Sequence, residues 1–281
     1  LAQAEEYVMD GKILKVQEEI QKLKSMRGET ADIQKLENVW FMQMAKKEKV
    51  EFLEKILYKI SLKGGEWVLD MANSHWRNLP YQRQSELASL YQKAYAHQKS
   101  LTVEKVFRSP QVSFEFVLIP PGRYLRGSAP GEKDRYLDEQ YHVVTISKPF
   151  WISRYEITQD QWYQVTQEKP WQGNQDKVSG TKANKKENTK HPASYVSWKD
   201  VESKFLSKLE EKFSLPTEAQ WEYACRAGTT TRFYWGNDID YREIEDYAWY
   251  SENTDRKGNS FPQVVGQKTP NAWHLYDMSG N

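Results

Sequence analysis

Apolar residues near the start of the chain recur at helical spacing. Met9, Ile13, Val16, Ile20 and Leu23 alternate steps of four and three, which is the a/d spacing of a short coiled coil. Such a stripe forms part of an ordinary core more often than it binds a partner. Two hypotheses follow: the helix packs on the next domain, or it pairs with a second copy and makes a homo-oligomer.

The pattern predicts three further helices before residue 110. A broad apolar face runs from Ile33 to Ile60 and ends at Gly64-Gly65. A third helix is predicted over Glu66–Trp76, and a fourth from Pro80, which suits a first helical turn, through Ala94. Residues 1–110 are therefore predicted to be an all-α region of helical hairpins.

The pattern changes after Ser109-Pro110, and residues 111–281 are predicted to form a separate α+β domain. Phe114–Ile119 followed by Pro120-Pro121-Gly122 predicts a strand that enters a tight turn, and Val143–Ile146 predicts another strand. The almost wholly polar residues 172–190 predict an exposed insertion loop.

Three predicted helix starts share one chemical signature, a hydroxyl followed three residues later by a side chain that can reach back to it. The pairs are Thr158 with Gln161, Ser197 with Asp200, and Thr217 with Gln220.

Composition excludes several classes of function. The 40 Lys and Arg residues nearly balance 39 Asp and Glu residues, so charge does not favour a nucleic-acid partner. No run of about 18 apolar residues predicts a membrane span. The single cysteine, Cys225, excludes an internal disulfide and a metal site of several thiolates. The 11 Trp and 17 Tyr residues suit a loop-rich fold in which large rings cover irregular backbone.

The first four residues, Leu1-Ala2-Gln3-Ala4, are typical of the end of a secretory signal peptide cleaved after Ala4. A fragment boundary would look the same. The first interpretation predicts a secreted or periplasmic protein.

The second half of the chain resembles the domain of formylglycine-generating, sulfatase-modifying enzymes. Six blocks occur in that family's order: Phe116–Gly127, Phe150–Thr158, His191–Asp200, Leu215–Ala224, Tyr234–Gly236 and Pro270–Asn281. The resemblance implies a C-type-lectin-like α+β fold with little regular secondary structure, in which Trp221 and Trp235 pack inside. Three positions depart from the family pattern, namely Tyr141, Ser214 and His274.

The resemblance also implies cofactors. Enzymes of this family oxidise a substrate cysteine in a sulfatase to formylglycine, with oxygen and with copper held by a cysteine pair. The matching blocks stop at Asn281 before that pair, so we expect a C-terminally incomplete domain in which Cys225 is a small buried side chain and no residue is catalytic. Calcium is implied at two places. Asp277 and Gly280 match one site, and Asn253 and Thr254 match the other. Turn capping and loop hydrogen bonds are the alternative roles for Asp277 and Asn253.

Two functions remain open. The first is a sulfatase-modifying oxidase that acts on a protein or peptide substrate and has a helical N-terminal extension. The alternative is a non-enzymatic lectin-like module that binds a ligand or protein and that its N-terminal helices multimerise for avidity. A cysteine pair beyond Asn281 would favour the oxidase.

Overall fold

The computed structural model describes residue 22 and residues 57–59, 67–109, 112–172, 190–209, 213–255 and 261–281. The predicted coiled coil at residues 9–23 and nearly all of the predicted loop at 172–190 lie outside these residues, so both stay predictions. Within the described ranges, no helix combines the length and the apolar character that crossing a membrane requires.

In the described residues, seven short strands form two small sheets. The strands are β1 (Leu57–Lys59), β2 (Trp67–Asp70), β3 (Glu104–Arg108), β4 (Ser113–Ile119), β5 (Gly122–Arg126), β6 (His142–Ile146) and β7 (Phe150–Ser153). One sheet has the order β1-β2-β5-β6, with β2 and β5 parallel and the other neighbours antiparallel. The other sheet is antiparallel, with β4 between β3 and β7. The strands predicted at 114–119 and 143–146 are confirmed as β4 and β6.

The helices named here from the described ranges are also short, apart from the 18-residue helix Tyr81–Gln98. They are α1 (Ser74–Arg77), α2 (Tyr81–Gln98), α3 (Gln159–Thr166), α4 (Trp198–Asp200), α5 (Glu218–Arg226), α6 (Ile244–Tyr247) and α7 (Ser251–Asp255). A π-helical turn, Val201–Phe205, and a 3₁₀ turn, Leu206–Lys208, continue α4. Small sheets, few helices and long connections make a mixed α+β fold.

All three predicted capping boxes are present. Thr158, Ser197 and Thr217 are the N-caps of α3, α4 and α5, and each accepts a hydrogen bond from the backbone N–H three residues later. The side chain of that third residue bonds back to the N-cap backbone in each case. These local contacts depend only on neighbouring residues, which is why the sequence predicts them.

The prediction of an all-α region over residues 1–110 is wrong in part. β1 lies in the predicted second helix, β2 occupies the start of the predicted third, of which only the end is helical as α1, and β3 lies just before the predicted boundary. Val68 and Leu69 are buried, and β2 pairs on both edges, with β1 and with β5. A short apolar run does not distinguish a buried strand from a buried helix by its period, so tertiary pairing decides. The fourth helix is confirmed as α2.

The main core draws on both sides of residue 110. Leu87 and Ala88 of α2 belong to the same buried cluster as Tyr223 of α5 and Trp273 near the end of the chain. The indole N–H of Trp273 donates to the carbonyl oxygen of Ala88 at 3.2 Å. The helix α2 is therefore part of the core around which the later strands and loops are arranged.

The two tryptophans expected inside behave differently. Trp235 is 3% exposed, which confirms the expectation, but Trp221 is 44% exposed, so the expectation for Trp221 is wrong. Tyr223 and Ala224 of α5 face the core, and at about 100° per residue the direction midway between them lies about 110° around the helix from Trp221. Trp221 therefore lies at the side of the core-facing surface, where it is partly exposed.

Candidate functional site

The last described segment, residues 270–281, is fixed to α5 by one buried amide. Asn271 is 5% exposed, and its Nδ2 donates to the carbonyl oxygens of Ala224 at 2.8 Å and Cys225 at 3.0 Å. Its Oδ1 accepts from the backbone N–H groups of Trp273 and Leu275. This clamp sets the path of the chain toward Asp277.

Asp277 has a carboxylate oxygen that lacks a partner. Asp277 is 8% exposed, and its backbone has a φ of +58°. Oδ2 accepts from the N–H of Gly266 at 2.7 Å, whereas Oδ1 is buried and has no hydrogen-bond partner among the described residues. Burying an unpartnered carboxylate oxygen is costly, so this atom points to a ligand or a proton.

Three segments meet beside Asp277. Asn281 donates from Nδ2 to Oε2 of Glu156 at 3.0 Å, and its Oδ1 accepts from the N–H of Gln263 at 2.7 Å. The N–H of Tyr276 donates to the carbonyl oxygen of Arg154 at 3.1 Å. We call Glu156, Asp277 and Asn281 the acidic site.

The environment of the acidic site favours neutral carboxyl groups. The pKa of Glu156 is raised to about 7, first because packed atoms remove water from its carboxyl and second because the charge of Asp277 repels it. By surface area, however, Glu156 is an exposed residue, so the direction of this shift is firmer than its size. Burial also raises the pKa of Asp277, although the N–H of Gly266 opposes that effect. A bound cation would stabilise both carboxylates in their charged forms.

Gly280 is held close to Asp277 by backbone contacts. Its N–H donates to the carbonyl oxygen of Asp277 at 3.3 Å, and its own carbonyl oxygen accepts from the N–H of Trp249 at 3.0 Å. Its φ is +141°, and a Cβ would lie 2.8 Å from the oxygen of Trp249, so only glycine fits. The structure therefore brings together the two residues predicted for one calcium site.

The residues predicted for the other calcium site make local contacts. Asn253 and Thr254 lie in α7, and both are buried. Oδ1 of Asn253 accepts from the N–H of Tyr250, and its Nδ2 donates to the carbonyl oxygen of Ala248, both at 2.9 Å. The hydroxyl of Thr254 donates to the carbonyl oxygen of Tyr250 at 3.0 Å. These bonds match the alternative role of a loop amide bonded to its own backbone.

Cys225 is only partly buried as a residue, although its thiol packs against the main core, so the expectation of a small buried side chain is met in part. Burial raises its pKa to about 12, so it is protonated at neutral pH. Its Sγ lies 3.5 Å from the carbonyl oxygen of Met278. In the described part of the chain, no cluster of three or more His, Cys, Asp or Glu side chains could hold a metal ion.

Sequence reasoning missed Glu156 and Asn281 as members of the site. They are 125 positions apart, and only the folding of the C-terminal segment against the segment after β7 brings them together. The one available signal was that both residues lie in blocks that resemble the same family.

Comparison with known proteins identifies a family for most of the chain. The sequence profile of the Sulfatase-modifying factor enzyme 1-like domain matches residues 102–281. The formylglycine-generating enzyme of Mus musculus is 34% identical over 97 residues, which are 32% of this chain and 25% of that protein. The serine/threonine-protein kinase pkn1 of Chlamydia caviae is 28% identical over 193 residues, which are 63% of this chain and 28% of that protein. The chain thus spans about a quarter of the length of these relatives.

A solved structure shares the fold. PvdO from Pseudomonas aeruginosa superposes with a TM-score of 0.52 at 28% identity, covering 64% of this chain and 72% of that one.

Proposed function

Because the chain belongs to the family of sulfatase-modifying factor enzyme 1-like domains, we propose that it serves in the oxidation of a substrate cysteine to formylglycine. The observation that carries the proposal is the family match over residues 102–281, which includes β4 to β7 and the whole acidic site. The similarity to formylglycine-generating enzymes supports a protein or peptide substrate, such as a sulfatase. The proposal includes a C-type-lectin-like fold and an exported protein.

Copper does not fit the described residues. Copper(I) prefers a pair of soft thiolate ligands, whereas these 281 residues include one cysteine, and that thiol is buried and protonated. The described residues therefore contribute the scaffold and not the redox centre.

Calcium fits the acidic site. Calcium takes several oxygen ligands from carboxylates and backbone carbonyls. The unpartnered Oδ1 of Asp277 and the carbonyl oxygen of Gly280 would be ligands. The carboxylate of Glu156 lies near enough to Asp277 to offer a further oxygen ligand. A bound calcium would offset the repulsion between the two carboxylates and tie residues 154–156 to residues 277–280. Asn253 and Thr254 stay a second proposed calcium site, but the acidic site is the better supported one, because Oδ1 of Asp277 lacks a partner whereas Oδ1 of Asn253 already accepts a hydrogen bond.

Thermal unfolding in calcium and in EDTA tests the calcium proposal. We expect calcium to raise the Tm of the wild type and not that of Asp277→Ala, because alanine offers the ion no side-chain oxygen. Asp138→Ala, at an exposed loop position, is the matched control and should respond like the wild type. A wild-type Tm that calcium leaves unchanged would refute the site.

The oxidase proposal has a separate test. Full-length, copper-loaded protein is incubated with a cysteine-containing sulfatase peptide, and mass spectrometry measures conversion to formylglycine. A peptide with serine in place of cysteine is the control. Conversion of the cysteine peptide alone is the expected result. Absence of conversion would overturn the oxidase and favour the lectin-like binding module multimerised by N-terminal helices.

A further inference from the structure

An apolar cavity of about 230 Å³ lies beside the three-stranded sheet. One wall is formed by Phe114 and Phe116 of β4, and another by Val201 and Phe205 of the π-helical turn. Ser214 and Pro216, which are exposed, lie at its opening. Among the described residues, no charged side chain lines this cavity.

Aromatic contacts hold the walls in place. Phe213 stacks on Phe116 at 5.6 Å with an interplanar angle of 15°, and Phe205 stacks on Trp162 at 5.2 Å. Phe114 meets Phe205 edge to face at 6.2 Å. Protein interiors normally pack without voids of this size. The rings support one another instead of collapsing into the space, so the cavity is pre-formed.

The π-helical turn is a second, independent feature of the cavity. It follows α4 directly, and its first and last residues, Val201 and Phe205, both line the space. Short π-helical turns are rare and occur frequently at functional sites, because they displace side chains from regular helical positions.

Gln220 supplies a polar group at the wall. Its Oε1 accepts from the N–H of Thr217 at 2.9 Å and from the Thr217 hydroxyl at 3.1 Å. Its Nε2 has no hydrogen-bond partner among the residues that the structure describes, and the residue lines the cavity. The wall thus offers a neutral hydrogen-bond donor. The other polar residues of the described lining are Ser153, whose hydroxyl donates to the carbonyl oxygen of Tyr155 at 2.8 Å, and Ser214.

We propose that this cavity binds a small, neutral aromatic molecule that carries a hydrogen-bond acceptor such as a carbonyl oxygen. An apolar cavity of about 150 Å³ holds benzene, so 230 Å³ accommodates one ring with a short substituent. Larger ligands need pockets of about 300–1,000 Å³. The lining residues that the structure describes are uncharged and select against an ionised ligand, because they would leave its charge unpaired. The inference is independent of the proposed oxidation.

Calorimetric titration with three ligands of nearly one shape tests the proposal. Acetophenone should bind saturably to the wild type. In α-methylstyrene a CH₂ group replaces the carbonyl oxygen. This compound should bind roughly 2- to 10-fold more weakly than acetophenone, which is the contribution of one net hydrogen bond to affinity. Benzoate is charged and should not bind. Absence of saturable acetophenone binding, or benzoate binding with equal affinity, would overturn the proposal.

Two variants locate the site. Val201→Phe fills the cavity and should abolish acetophenone binding, whereas Val143→Phe, at a 43%-exposed position on β6, should leave it unchanged. Gln220→Met keeps the cavity open and should remove the preference for acetophenone over α-methylstyrene. Binding that persists in a Val201→Phe protein with wild-type near-UV circular dichroism would refute the location, and a preference that persists in Gln220→Met would refute the donor.

Discussion

Replacing Gln84 with methionine tests whether α2 is energetically part of the domain. Gln84 is 1% exposed and joins α2 to the loop after α5. Its Nε2 donates to the carbonyl oxygens of Trp76 at 3.0 Å and Leu79 at 3.2 Å, and to the hydroxyl of Thr230 at 3.0 Å. Its Oε1 accepts from the N–H of Thr230 at 2.9 Å. Methionine has a similar length and shape but cannot make these bonds.

The structure gives the size of the effect. The carbonyl oxygen of Trp76 keeps a partner, the N–H of Leu79. The N–H of Thr230 and the carbonyl oxygen of Leu79 lose their bonds to Gln84. A buried group left without a partner costs about 1–3 kcal/mol. Two such groups would cost about 2–6 kcal/mol, and the lower part of that range applies because both bonds are only part-buried. Gln84→Met should therefore lower the free energy of unfolding by about 2–4 kcal/mol, a large share of the roughly 5–15 kcal/mol typical of a domain.

Gln92 provides the matched control on the same helix. It is 0% exposed and donates from Nε2 to the carbonyl oxygen of Leu118 at 2.7 Å, but its Oε1 is buried with no partner among the described residues. Methionine at this position removes an unsatisfied acceptor as well as one bond, so Gln92→Met should cost less than about 1 kcal/mol. Urea unfolding followed by tryptophan fluorescence measures both changes. Equal costs for the two variants would refute the reasoning.

Three further predictions concern the same fold. Trp235→Ala should cost about 3–5 kcal/mol in urea unfolding and Trp221→Ala at most about 1 kcal/mol, because only Trp235 is buried; similar costs would contradict the assigned packing. In EDTA, the free energy of unfolding should fall as pH rises from about 4.5 to about 7, since folded Glu156 keeps its proton over that range and the unfolded chain does not. Urea unfolding of Glu156→Gln should show a smaller fall. An equal dependence of the free energy of unfolding on pH in the two proteins would contradict the raised pKa. Gly228→Ala should cost about 2–4 kcal/mol, because its φ is +96° and a Cβ would lie 2.3 Å from that of Ala88; a wild-type Tm would contradict that contact.

The features that the sequence predicted depend on local chemistry. The N-caps at Thr158, Ser197 and Thr217 need only a hydroxyl and a side chain three residues away, and all three are present. The helix from Pro80 and the strand before Pro120 are bounded by residues that restrict the backbone in known ways. The resemblance of the six blocks to a known family predicted the α+β fold class into which these elements are arranged.

The features that the sequence did not predict depend on distant contacts. β2 is a strand because β5, more than fifty positions later, pairs with it. Trp221 is exposed because α5 packs through the face that carries Tyr223 and Ala224, and it is core residues distant in sequence that contact this face. The acidic site forms because Asn281 reaches Glu156 across 125 positions. None of these pairings has a signature in the local pattern of apolar residues.

The family match and the physical core begin at different residues. The match starts at residue 102, but Val68, Trp76 and Ala88 precede it and are each fully buried. The indole N–H of Trp76 donates to the carbonyl oxygen of Gly228 at 2.8 Å, and that of Trp273 donates to Ala88. The residues before position 102 and those after it therefore provide hydrogen-bond partners for each other's buried indole N–H groups, and neither part would keep these bonds alone. The strand β2 and the helix α2 belong to the unit that positions the acidic site, because Trp273 lies four residues before Asp277.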